Sequence, residues 1–101
     1  MTILTGLNMT NLDTQTHIGL ICDEIKELLI DKNRKYGDSA LNPSRIFSQA
    51  GPIDQILVRI DDKLNRIKQG AGLLAKDEDV IVDLIGYLVL LKIALARNTE
   101  S

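Results

Sequence analysis

Residues 80 to 96 read VIVDLIGYLVLLKIALA, and only Asp83 and Lys92 interrupt the apolar run with charge. The segment falls short of the roughly 20 residues that span a bilayer, and its two charges argue further against a membrane span. It therefore reads as a helix of a water-exposed protein, apolar almost all round, and such a helix is buried on several sides. A chain of 101 residues has material for one domain and little more. The run thus predicts a small bundle whose central helix is completed by a second copy.

The other segments agree with an all-α fold. There is no Trp, one Phe and two Tyr, so the core is aliphatic, which favours packed helices over an aromatic-rich β sandwich. No strand-like alternation of useful length is present. Residues 1–13 lack a period and predict a flexible N-terminal arm, leaving 14–98 as the single helical domain. Ile18, Ile21, Cys22, Ile25, Leu28 and Leu29 fall on one stripe and predict a helix over 15–34. Tyr36-Gly37-Asp38-Ser39 ends it. Asn42-Pro43-Ser44 predicts a short helix through about Gln49, with Pro at its first position. Gly51-Pro52 opens the next helix, with Ile53, Ile56, Leu57, Ile60, Leu64 and Ile67 on its apolar stripe, and Gly70-Ala71-Gly72 closes it. The last helix is expected from about Lys76 to Arg97. The expected architecture is an antiparallel bundle of three long helices and one short one.

Charge narrows the function classes. Twelve basic against fourteen acidic residues give a formal net charge of -2, which argues against general nucleic-acid binding of the high-pI type. One cysteine, Cys22, can form neither an intramolecular disulfide nor a thiolate zinc cluster. No signal-peptide pattern opens the chain. These features suit a cytoplasmic setting and exclude a membrane partner.

Two constellations could carry chemistry. Glu24 and Glu27 lie three apart on the first helix, and Asp79 and Asp83 one turn apart on the last, a pattern able to hold Mg²⁺ through oxygen ligands. Acidic residues in a first turn or on a solvated face are equally ordinary, but Asp83 stands inside an apolar stretch, where a carboxylate is costly unless paired or metal-bound. Gly86, in the interior of the same helix, implies a close approach by a neighbouring helix or by a ligand. Arg59, Lys63 and Arg66 surround Asp62 on the side of their helix expected to lie opposite the apolar stripe. They read either as a solvated ion-pair ladder or as phosphate ligands. Lys32, Arg34 and Lys35 lead into Tyr36-Gly37-Asp38-Ser39, where Tyr36 offers a stacking face and Ser39 a hydroxyl.

Three segments, Lys32-Asn33-Arg34-Lys35-Tyr36-Gly37-Asp38-Ser39, Arg59-Ile60-Asp61-Asp62-Lys63-Leu64-Asn65-Arg66 and Asp83-Leu84-Ile85-Gly86-Tyr87, resemble the nucleotide modification associated domain 1 family, found largely in bacteriophages. The resemblance covers about residues 20–95. That family is in turn similar to the MazG-like all-α nucleotide pyrophosphohydrolases, which act as dimers or tetramers. The resemblance implies cleavage of a nucleoside triphosphate between its α and β phosphates, with Mg²⁺ held by Glu24, Glu27, Asp79 and Asp83. It implies phosphate contacts from Lys63 and Arg66 and places Tyr36 near the base or sugar; Lys32, Lys35, Ser39, Arg59 and Tyr87 complete the candidate nucleotide-binding set. Val80, three residues before Asp83, departs from the acidic pattern of that group. A second reading follows from the departure: a non-catalytic protein that sequesters a cyclic or ADP-ribose-type signal of antiphage defence. A third is a ligand-free helical oligomerisation module.

Overall fold

The computed structural model describes residues 13–70 and 79–100. It holds three helices, α1 (Thr14–Tyr36), α2 (Pro52–Lys68) and α3 (Val80–Glu100), and among the described residues there is no strand. The all-α expectation is met. Of the arm expected over 1–13, residues 1–12 lie outside the described residues, as does the expected helix start near Lys76. None of the described helices is long and apolar enough to cross a membrane.

Each helix begins and ends for local reasons. Asp13 caps α1, its Oδ1 accepting from the Thr16 N–H at 2.7 Å. At the other end Gly37 takes the left-handed conformation (φ 63°, ψ 39°) and donates its N–H to the Asn33 carbonyl, a stop that suits a residue without Cβ. Pro52, which needs no partner for a missing N–H, opens α2 after Gly51. Asp79 stands just before α3 and its Oδ1 accepts from the Val82 N–H at 3.0 Å. That is the N-cap arrangement.

The short helix expected over residues 43–49 does not form. Arg45 is in the left-handed region (φ 56°), which breaks a right-handed ladder. The Gln49 side-chain amide donates to the Arg45 carbonyl at 3.3 Å, so a side chain occupies the acceptor that Gln49's backbone N–H would take in an α-helix. Phe47, the single phenylalanine, is fully exposed.

α3 is the central element. It packs extensively against α2 and more narrowly against α1. The buried apolar side chains are Ile25 of α1, Ile56 of α2, and Val80, Val82 and Ala94 of α3. Gly86 is also buried, and a Cβ there would stand 2.9 Å from Leu29 Cδ2. The close approach that this glycine permits is therefore by a neighbouring helix, α1. Within the single chain α3 is not covered all round: Ile81, Leu88 and Leu95 are about half exposed.

Candidate functional site

A cleft of about 620 Å³ opens where the three helices meet. α1 supplies Leu28, Leu29, Lys32, Asn33 and Tyr36; α2 supplies Gln55, Ile56 and Arg59; α3 supplies Val82, Asp83, Gly86, Tyr87 and Leu90. The connection after α1 closes one side with Asp38, Ser39, Ala40, Pro43 and Ser44. A second cleft of about 420 Å³ runs along α2, lined by Arg59, Asp62, Lys63, Asn65 and Arg66 together with Tyr87. Arg59 and Tyr87 belong to both. An apolar hollow and a polar groove thus meet at one guanidinium and one phenol ring.

Six of the sequence-predicted residues, Lys32, Tyr36, Ser39, Arg59, Asp83 and Tyr87, line the larger cleft. Lys63 and Arg66 line the groove. Lys35, Glu24, Glu27 and Asp79 line neither. Lys35 Nζ lies 5.8 Å from the centroid of the Tyr36 ring, within range of a cation–π contact. Asp79 is occupied as the cap of α3.

Lys63 departs from the expected geometry. It does not project from the solvated side of α2: its side chain is only 17% exposed and its Nζ is 3.1 Å from Asp83 Oδ2. Residues 56, 60, 63 and 67 share one helical face at spacings of three and four. Ile56 is buried and Ile60, Lys63 and Ile67 are half-buried, whereas Leu57 and Leu64 of the expected stripe are exposed. The face that meets α3 is therefore rotated from the one drawn through all the apolar residues, and it includes a cation. Lys32 of α1 reaches the other carboxylate oxygen, with Nζ 3.8 Å from Asp83 Oδ1. A single carboxylate on α3 faces ammonium groups from both other helices.

Asp38, which the sequence marks only as part of a turn, organises one wall of the cleft. Its backbone is left-handed (φ 62°). Its Oδ1 accepts from Asn33 Nδ2 at 2.8 Å and its Oδ2 from Asn42 Nδ2 at 2.7 Å. Its carbonyl accepts from the N–H groups of Leu41 and Asn42 at 3.2 and 3.0 Å. The available signal was the tolerance of Asp for left-handed backbone directly after a glycine.

The described residues of the single chain do not gather a carboxylate set for a resident Mg²⁺. Among the described residues no group of three or more His, Cys, Asp or Glu side chains could hold a metal ion. Mg²⁺ can be held by one or two carboxylates when phosphates complete its shell. In the cleft, however, Asp83 faces two lysines and both oxygens of Asp38 accept amide hydrogens. Cations and amide donors around these carboxylates suit an anionic ligand better than a further cation.

Comparison of the chain with protein-family models, with curated proteins and with solved structures returns no match.

Proposed function

We propose that this protein binds a small nucleotide in the cleft between its three helices. The observation that carries the reading is the convergence of Lys32, Arg59 and Tyr87, one from each helix, on a cleft of about 620 Å³ that continues into a basic groove. A nucleotide needs both halves of such a site. Its base and sugar suit the hollow, where Tyr36 and Tyr87 offer aromatic faces and Ser39 a hydroxyl. Its phosphates suit Arg59, Lys63 and Arg66, where a guanidinium fork and a compact ammonium both favour phosphate oxygen.

Of the two nucleotide readings, binding without turnover comes first, because it asks nothing of Glu24, Glu27 or Asp79, which line neither cleft. In this reading the protein is a sequestering protein of bacteriophage type for a nucleotide signal. Hydrolysis of a nucleoside triphosphate with Mg²⁺ held by Glu24, Glu27, Asp79 and Asp83 would require these carboxylates to converge. The test is incubation with a panel of nucleoside triphosphates and cyclic nucleotides, with Mg²⁺ or with a chelator, followed by analysis of the solution and of ligand released on heating. Intact ligand recovered without Mg²⁺ supports sequestration. Pyrophosphate release that disappears in Asp83→Asn would establish the hydrolase instead, and neither turnover nor retention would leave a ligand-free helical module.

The working form is a homo-oligomer, a dimer or tetramer. Support comes from α3, where Ile81, Leu88 and Leu95 recur every seven residues and are about half exposed. A seven-residue apolar repeat is the pattern by which one helix packs along another.

A further inference from the structure

We propose that Asp83 is a selectivity residue of the cleft: a built-in counter-ion that holds down its affinity for highly charged polyphosphates. The proposal rests on the nucleotide-binding reading and deepens it by specifying the charge of the ligand.

The argument starts from geometry. Asp83 places Oδ2 3.1 Å from Lys63 Nζ and Oδ1 3.8 Å from Lys32 Nζ, so the carboxylate lies between cations of α2 and α1. Its side chain is 24% exposed and lines the larger cleft beside Arg59. Solvent screening is weaker in such a place than on an open surface. A phosphate drawn to Lys32 and Arg59 approaches the Asp83 carboxylate as well, and the repulsion grows with each negative charge that the ligand carries. Asp38 adds a second anion to the same wall. The larger cleft therefore balances Lys32 and Arg59 against Asp38 and Asp83, with Lys63 drawn in from the groove. Such a site discriminates by charge: a ligand with one or two negative charges gains the cations at little cost, while a triphosphate meets the full opposition of both carboxylates.

The test uses two nucleotides of one base, AMP and ATP, titrated calorimetrically in the presence of a chelator against the full-length protein and three variants. Asp83→Asn keeps size and removes charge. It is expected to tighten AMP about threefold and ATP about tenfold, the larger gain falling on the more highly charged ligand. Asp83→Glu keeps the charge and should leave the ratio of ATP to AMP affinity within about twofold of wild type, whatever the longer side chain does to both. Asp83→Ser, a shorter neutral side chain, should shift the ratio between the two ligands in the same direction as Asp83→Asn, and it carries the test alone if Asp83→Asn does not fold. A purely structural ion pair would not alter the ratio between the two ligands. Equal losses for AMP and ATP, or no change in their ratio, would overturn the proposal while leaving nucleotide binding intact. Failure of both nucleotides to bind any form of the protein would overturn the nucleotide reading and the proposal together.

Discussion

Lys63 Nζ lies 3.1 Å from Asp83 Oδ2, and this contact joins α2 to α3 at the edge of the cleft, with both side chains less than one-quarter exposed. Breaking such a pair by removing one partner leaves a sheltered charge with weaker compensation. Lys63→Met is expected to destabilise the fold by about 1–2 kcal/mol, with Lys32 still facing the carboxylate. Lys63→Met combined with Asp83→Asn should cost less than the sum of the single changes. By contrast Arg34→Ala, which breaks the open Arg34–Asp31 pair on α1, should change stability by less than about 0.5 kcal/mol. Chemical denaturation with a constant slope checks all four variants, and additive losses would count against a direct coupling.

Gly86 of α3 lies close against Leu29 of α1, and the effect of enlarging it depends on how far Leu29 can yield. An alanine Cβ would stand 2.9 Å from Leu29 Cδ2, the movable tip of a side chain. Helix propensity favours Ala over Gly by about 1 kcal/mol. Gly86→Ala should therefore fall within about 1 kcal/mol of wild type. Gly86→Leu, which inserts a branched side chain between the helices, should cost about 2–3 kcal/mol. Thermal melts followed by circular dichroism separate the two cases, and a Gly86→Leu protein as stable as wild type would contradict this packing.

Acid should loosen the start of α1. The Asp13 carboxyl is held below its ordinary value of 3.8, mainly by the hydrogen bonds from Thr16, with a smaller contribution from His17. A depressed value in the folded state means that the cap's contribution is present above the ordinary value and is lost as pH falls through the folded one. The Thr16 amide resonance should titrate with a midpoint below 3.8. Asp13→Asn, which can still cap but does not titrate, should abolish that transition. A midpoint at or above the ordinary value would contradict the cap.

Asp38 ties together Asn33, Leu41 and Asn42. Asp38→Ala removes both side-chain bonds and places alanine in a left-handed backbone, at a cost of about 1–2 kcal/mol. Faster hydrogen exchange is expected over residues 38–44, the segment that forms one wall of the cleft. Unchanged exchange in this segment would show that the network does not hold the wall.

Leu88 is the middle residue of the exposed row on α3. Leu88→Glu is expected to reduce the molar mass measured by light scattering to that of one chain, with α-helical content retained. A wild-type protein already of single-chain mass would refute the oligomer.

Much of this arrangement could be read directly from the residues. The 3.6-residue periods of Ile18 to Leu29 and of Ile53 to Ile67, the apolar run from Val80 to Ala96, the glycine after Tyr36 and the proline after Gly51 mark three helices and two of their ends, because these are local properties of backbone and side-chain volume. Exclusion of a membrane span followed from the length of the apolar run and its two charges. The residues Lys32, Tyr36, Arg59, Lys63, Asp83 and Tyr87 were also identifiable as an unusual set of charges and rings in an aliphatic chain. The segment around Arg45 carries a helix signal without forming a helix, because Pro43 after Asn42 is a start signal whether or not a helix follows.

The tertiary structure decided what these residues do to one another. Apolar periodicity could not show that Lys63 lies on the packed face of α2 while Leu57 and Leu64 remain exposed, because a helix's rotation is chosen by its neighbours. The partners of Asp83 come from two other helices at sequence separations of 51 and 20 residues, and no local pattern encodes which distant cation a carboxylate will meet. Likewise Gly86 announced a close approach, and only the packing of α1 identified Leu29 as the group that makes it. Local sequence determined the helices; long-range packing determined the cleft, since its walls are assembled from segments that the chain alone keeps far apart.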